Sequence, residues 1–228
     1  MTLPPPSPSR GPKAIRVAPD QLLDAAQAVF SDQGLKAASL RAIARKAGCD
    51  PALIYYHFKS KEALFEALLE RRFPPVTQEM ERLTDPADPR STSLRLWAAL
   101  GIYYQHLKDD AGIRAMVRGE IMRGAEGLGD LIEARIRPVM TAVSTIIKQG
   151  IDRGELRPDL HPLLTTFFLM KMQLEILDLL PIVLPRVLQT APDNPIPLAM
   201  RTWFELFWRG VAADPSAPLP SLPDPALS

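Results

Sequence analysis

Cysteine is almost absent from this chain: Cys49 is the single one in 228 residues. No intramolecular disulfide framework is available, and the composition suits a reducing compartment. Cys49 reads as a small hydrophobe in a turn, with redox sensing as the alternative. Histidine is scarce too. His57, His106 and His161 are scattered, and none has a second His or Cys at metal-site spacing, so no metal and no cofactor are expected. No glycine-rich phosphate loop and no G-x-S-x-G nucleophile elbow occur, so the chain is not read as an enzyme. No uninterrupted apolar run approaches the ~20 residues of a membrane span. The opening MTLPPPSPSRGPK has no apolar signal-peptide core. The expected setting is the cytoplasm, without a membrane partner. Internal repeats and alternating strand patterns are also missing.

What is present is an ordinary globular composition, 46% hydrophobic and 23% charged, in a chain long enough for one large or two small domains. The net charge of +1 hides an asymmetry. Residues 1–61 carry nine Lys or Arg against four Asp, and the remainder carries 18 against 22 acidic residues. A basic first part on a slightly acidic body is the electrostatic footprint of a nucleic-acid reader.

The residues of that basic part are patterned. In Ser39–Lys61, SLRAIARKAGCDPALIYYHFKSK, Ser39 is a good N-cap for a first helix. Leu40, Ile43, Ala44 and Ala47 share one face, opposite Arg41, Arg45 and Lys46. Gly48 suits a left-handed exit. Asp50 and Pro51 form the cap and first position of a second helix. Ser60 caps a third, with Glu62 in its first turn. Helix, short Gly turn, helix is helix-turn-helix syntax.

Ser39, Ile43-Ala44, Ala47-Gly48, Ile54-Tyr55-Tyr56-His57-Phe58 and Lys61 together resemble the DNA-binding segment of the tetracycline-repressor (TetR/AcrR) family of bacterial transcriptional regulators. The chain departs from the family pattern at Cys49, where Val is usual, and at Asp50, where Ser is commoner. The resemblance implies an all-α fold: a three-helix helix-turn-helix domain at 19–63, then a helical effector-binding and dimerisation domain at 64–213. Residues 1–18, rich in Pro, Ser and basic side chains, and 214–228, with five Pro, read as disordered flanks. Arg10, Lys13 and Arg16 are candidate phosphate or minor-groove contacts, or simply solvated.

The resemblance also implies site residues. Pro51, Ala52 and Leu53 would face the major groove, where they offer apolar contact alone. Arg41 is the candidate for reading guanine or a phosphate. Ser39, Tyr55, Tyr56, His57 and Lys61 form the implied phosphate-contacting set. Tyr55 and Tyr56 have a competing reading as core aromatics. So few base contacts call for a homodimer on a palindromic double-stranded operator.

Beyond Pro19 the periodicity is helical throughout, with Gly34 marking the first helix end and Pro74-Pro75 interrupting the fourth. Later helices are predicted at 93–109, 113–123, 128–153, 159–180 and 194–212. The last two carry an excess of apolar residues, and Phe167, Trp203, Phe204, Phe207 and Trp208 are the candidate dimer surface. By the resemblance, the middle helices enclose a cavity for a small effector. Trp97, Tyr104, Met116, Phe168, Met172 and Gln173 are the candidate lining. No charged cluster is apparent in these segments, so a hydrophobic or amphipathic effector is expected. The expected function is ligand-responsive regulation of transcription, by repression on the family analogy. The alternative is a helical protein-interaction module that does not read DNA.

Overall fold

The computed structural model describes residues 17–72, 74–108, 111–122, 136–187 and 195–223. Its described residues are helical apart from caps, the connectors around 83–91 and 153–161, the segment 213–223 and one isolated antiparallel bridge, Leu156 with Ala212. The first helix, α1 (Pro19–Ala37), starts where Pro19 fits a first helical position and Gln21 reaches back to accept from the Ala18 N–H at 3.0 Å. Gly34, expected to end it, interrupts it instead: at φ 77° it leaves helical geometry, and the chain resumes to bury Leu35.

The helix-turn-helix forms as its caps dictate. α2 (Leu40–Ala47) leaves through Gly48 at φ 69°. α3 (Pro51–Phe58) starts with the Asp50 carboxylate accepting from the Ala52 N–H at 2.8 Å. α4 (Lys61–Arg72) starts with the Ser60 hydroxyl accepting from the Ala63 N–H at 3.0 Å. Phe30, Ile43, Ile54, Leu64 and Leu68 are fully buried at the centre, and Phe30 meets the Phe65 ring edge-on at 5.5 Å. Since Leu64, Phe65, Leu68 and Leu69 belong to this core, α4 is part of the first unit. Its stripe faces α1.

The body begins with α5 (Pro74–Arg82) and continues through α6 (Thr92–Leu107), α7 (Ala111–Met122), α8 (Arg137–Asp152), α9 (Pro162–Asp178), α10 (Leu180–Val187) and α11 (Pro195–Val211). The predicted 128–153 helix is described from Arg137 onward, and its earlier part lies outside the described residues, as do Arg10, Lys13 and Arg16. α10 is an element the periodicity did not reveal. Met80, Leu96, Trp97, Leu100, Val143, Ile146, Leu169, Met200 and Phe204 fill the body's core. Within it Arg95 is wholly buried. Its Nε donates to the Leu83 carbonyl at 2.8 Å and its Nη2 to Gln149 Oε1 at 2.5 Å, while Gln149 Nε2 donates to the Thr84 carbonyl at 2.9 Å. These bonds tie the carbonyl end of α5 to α6 and α8, satisfying groups that a helix end leaves open.

α7 lies between the two units. It packs on α1, and Ser31 Oγ donates to the Gly112 carbonyl at 2.9 Å. No helix among the described residues is long and apolar enough to cross a membrane.

Candidate nucleic-acid interface and effector body

In the helix-turn-helix, the local signals place chemistry outward. Tyr55 is 56% exposed and Tyr56 80%, so neither is a core aromatic. Ile54, between them and the core, takes the buried position of α3. The Tyr56 ring stands edge-on to His57 with centroids 5.1 Å apart. Both groups therefore present polar atoms to solvent beside one another. Arg41 is exposed in the first turn of α2, and Ala52 in that of α3. Pro51 is half-buried. Leu53 is half-buried and packs on the first core, so less of it remains for a groove than the resemblance implied.

Two expected contacts already have structural duties. Ser39, exposed, accepts from the Ala42 N–H at 3.2 Å as the α2 cap. Lys61 donates from Nζ to the Lys36 carbonyl at 3.2 Å, which fixes the start of α4 against the end of α1. Sequence reasoning missed Lys59. It is exposed and follows α3 at φ 61°, a left-handed position unusual for a residue with a Cβ. A cation directly after Phe58 was the available signal. Cys49 is partly buried, and burial first, then the neighbouring Asp50 charge, pushes its thiol pKa up. That is the opposite of what a reactive thiol needs.

The comparisons with known proteins agree with this geometry. The profile of bacterial regulatory proteins of the tetR family matches residues 22–68, the unit just described. The chain is 30% identical over 146 residues to the HTH-type transcriptional repressor KstR2 of Mycolicibacterium smegmatis, covering 62% of this chain and 68% of that protein. The chain belongs to the TetR family. It is also 28% identical over 149 residues to the A-factor receptor protein of Streptomyces griseus; that match spans 63% of this chain and 48%, about half, of the relative. In fold it is similar to the ketosteroid transcriptional regulator KstR2 of Mycobacterium tuberculosis, with TM-score 0.64 and 22% identity, covering 86% of this chain and 99% of that one.

In this TetR-family regulator the candidate effector residues divide between the body core and its surface. Trp97 is 1% exposed and Tyr104 is buried, both in the body core. The Trp97 ring lies 5.2 Å from Phe204. Phe168, 61% exposed, and Met172 lie on the outer face of α9. The Met116 side chain falls outside the described residues. Gln173 lies with the buried ones. It is 1% exposed, and its Nε2 donates to the Leu100 carbonyl at 3.1 Å. Its Oε1 has no partner among the described residues.

The dimer candidates divide as well. Phe167 is exposed on α9. Phe204, Phe207 and Trp208 are buried in the chain's own body and Trp203 is partly buried against it, because the apolar stripe of α11 faces α6 and α9. α9 buries Thr165, Thr166 and Gln173 beside Leu169, Met170, Ile176 and Leu177, and exposes Leu163, Leu164, Phe167 and Phe168. The threonines tolerate burial because each hydroxyl donates to a carbonyl four residues back, Thr165 to His161 at 3.0 Å and Thr166 to Pro162 at 2.9 Å. Ile182 and Val183 of α10 and Leu198 and Leu206 of α11 are exposed as well.

A charged cluster unseen in the sequence joins α7 to α9. Arg114 Nε meets Asp178 at 2.5 Å, and Arg118 Nη2 meets Asp178 at 2.9 Å and Glu175 at 3.4 Å. A hydrogen bond from Lys171 holds the Glu175 carboxyl below its ordinary range, with Arg118 adding to it. Tyr103, on the neighbouring helix, has its pKa pushed up by burial and then by Asp178. The spacings Arg114/Arg118 and Glu175/Asp178, four and three apart on their helices, were the legible signal.

Proposed function

We propose that this regulator binds a palindromic double-stranded DNA operator as a homodimer, acts in the cytoplasm as a repressor, and is released by a small amphipathic effector. The exposure of Tyr55, Tyr56 and His57 on α3 and of Arg41 on α2 carries the DNA reading. Hydroxyls, an imidazole and a guanidinium at one edge of a basic unit are the groups that hold phosphates and base edges. Ser39, Pro51, Ala52, Leu53 and Lys61 complete the interface, with Lys59 added to the set.

A second copy covers the exposed apolar surface of α9, α10 and α11. Apolar area of that extent on helices packed side by side fits burial in an intermolecular bundle. The effector enters the body between α6, α9 and α11. The unpartnered Gln173 Oε1 supports this, since a buried amide oxygen gains most from a ligand hydroxyl or N–H. KstR2 is by its name a repressor, and repression is adopted here from that relationship.

The test is an anisotropy titration against DNA from the gene's own upstream region and against unrelated duplex, at two salt concentrations. Specific binding should outcompete unrelated duplex. Its affinity should fall with salt by roughly 0.9 logarithmic units per phosphate contact for each decade. Binding fully competed by unrelated duplex, with no preferred site in a genomic selection, would leave the interaction-module reading instead.

A further inference from the structure

The segment after α11, read from its prolines as a disordered flank, is described through residue 223. Its path starts at the Leu156–Ala212 bridge, where Ala213 N–H donates to the Glu155 carbonyl at 3.0 Å. It turns at Asp214, whose carboxylate accepts from Ser216 N–H at 2.9 Å and from Ser216 Oγ at 2.6 Å. From there it runs back over the body. Leu222 is buried in the core and Leu219 packs against it. The Pro223 carbonyl accepts from Trp97 Nε1 at 2.9 Å, and the Leu222 carbonyl accepts from Arg201 Nη2 at 2.9 Å.

These two donors are what a bound small molecule would be expected to use. An indole N–H and a guanidinium, which here hold the carbonyls of successive residues, are donors for a carboxylate or carbonyl, and the seat of Leu222 fits the apolar part next to it. The seat is also continuous with the effector seam. Trp97 lies one turn from Leu100 on α6, Phe204 one turn from Met200 on α11, and Gln173 contacts both Leu100 and Met200. We propose that residues 219–223 are a displaceable strap, a built-in stand-in for the effector, which an apolar molecule ending in a carboxylate or carbonyl pushes off Trp97 and Arg201.

The proposal rests on the effector-body reading above. Its mechanics come from the segment itself. Pro215, Pro218, Pro220 and Pro223 donate no backbone hydrogen bonds and restrict the released chain, so opening and closing change little backbone freedom. The turn at Asp214–Ala217 is the hinge, and the bridge at Ala212 is the fixed end.

The experiment uses the full chain with decanoate as probe and decanol as the control without the carboxylate. Hydrogen exchange at the Leu219, Ser221 and Leu222 amides should quicken at least fivefold with saturating decanoate and change little with decanol. The variant Leu222→Asp, which removes the apolar anchor, should bind decanoate at least tenfold more tightly than the parent. Adding Arg201→Met should abolish that gain. An unchanged decanoate affinity in Leu222→Asp overturns the proposal, as does absence of decanoate binding to both proteins. Unaltered strap exchange in decanoate-bound protein overturns it too. Loss of helical circular dichroism in Leu222→Asp would show the strap to be fixed core, which also overturns it. The DNA titration on the same samples separates this failure from failure of the regulator reading.

Discussion

Arg114 on α7 and Asp178 on α9 meet at 2.5 Å, with the guanidinium side chain only 8% exposed. α7 also packs on α1 of the DNA-binding unit, so this pair joins the helix that touches that unit to the helix bearing the exposed aromatic face. Asp178→Asn would leave a nearly buried cation without its counter-charge. The expected cost is about 3 kcal/mol, the lower end for breaking a buried pair. Arg118 reaches the same carboxylate from a more exposed position, 41%, and Arg118→Ala should cost less than ~1 kcal/mol. Urea midpoints of the two variants check this, and equal losses would contradict the assigned ranking.

Gly150 of α8 packs closely where α6 begins. A Cβ there would lie 2.7 Å from Thr92 Cγ2 and 2.9 Å from Leu156 Cδ1. Thr92 cannot withdraw easily, because it is fully buried and its N–H donates to Glu155 Oε2 at 2.8 Å. Gly150→Ala should therefore destabilise by about 1–3 kcal/mol through overpacking, although Ala is the better helix former by about 1 kcal/mol. Thermal unfolding decides the sign. Gly210, with open space around it, is the control site where the same change should be neutral or stabilising.

Asp88 gives the connector before α6 a pH dependence. Its carboxylate accepts from the Arg90 backbone N–H at 2.9 Å and from Arg90 Nη2 at 2.5 Å, and the side-chain bond to Arg90 lowers its pKa to about 2. A carboxyl depressed in the folded state stabilises it above the unfolded value, and that contribution is lost as pH falls from about 4 toward 2. Arg90 is itself open to water, so solvent screening reduces the effect to on the order of 1 kcal/mol. Asp88→Asn should be less stable than the parent at pH 6. The gap should close progressively in urea titrations at pH 4, 3 and 2.

The helix-turn-helix was legible because its determinants are local. Ser39, Gly48, Asp50-Pro51 and Ser60 set caps and turns within a few residues, and the spacing of Ile43, Ala44 and Ile54 fixes the inner face. The body was less legible for identifiable reasons. α10 carries Pro181 and Pro185, which read as breakers. It buries no residue in the described structure, so it has no inward stripe to detect. The strap is held by two side-chain donors more than 20 residues distant or on another helix, and no local pattern announces such bonds. On an almost all-apolar helix such as α9, neighbouring residues point about 100° apart. Periodicity alone could not decide that Phe168 faces out while Gln173 faces in.

The outward face of α9 and the inward face of α11 separate two roles for aromatic residues. Phe204 is fully buried between Trp97 and the other rings of α11, so Phe204→Ala should cost about 3–5 kcal/mol whatever the oligomeric state. Phe168 touches the Phe167 ring at 5.8 Å and is otherwise largely open to solvent, so Phe168→Glu should leave the folded monomer within about 0.5 kcal/mol of the parent. If a second copy covers this face, the same change places a carboxylate in an apolar interface, and association should weaken at least tenfold. Each protomer alone holds one reading unit, so operator affinity should fall with dimerisation while binding to unrelated duplex changes little. Sedimentation at micromolar concentration, paired with the DNA titration, reads both effects. A Phe168→Glu protein that sediments like the parent would move the dimer surface away from this face of α9.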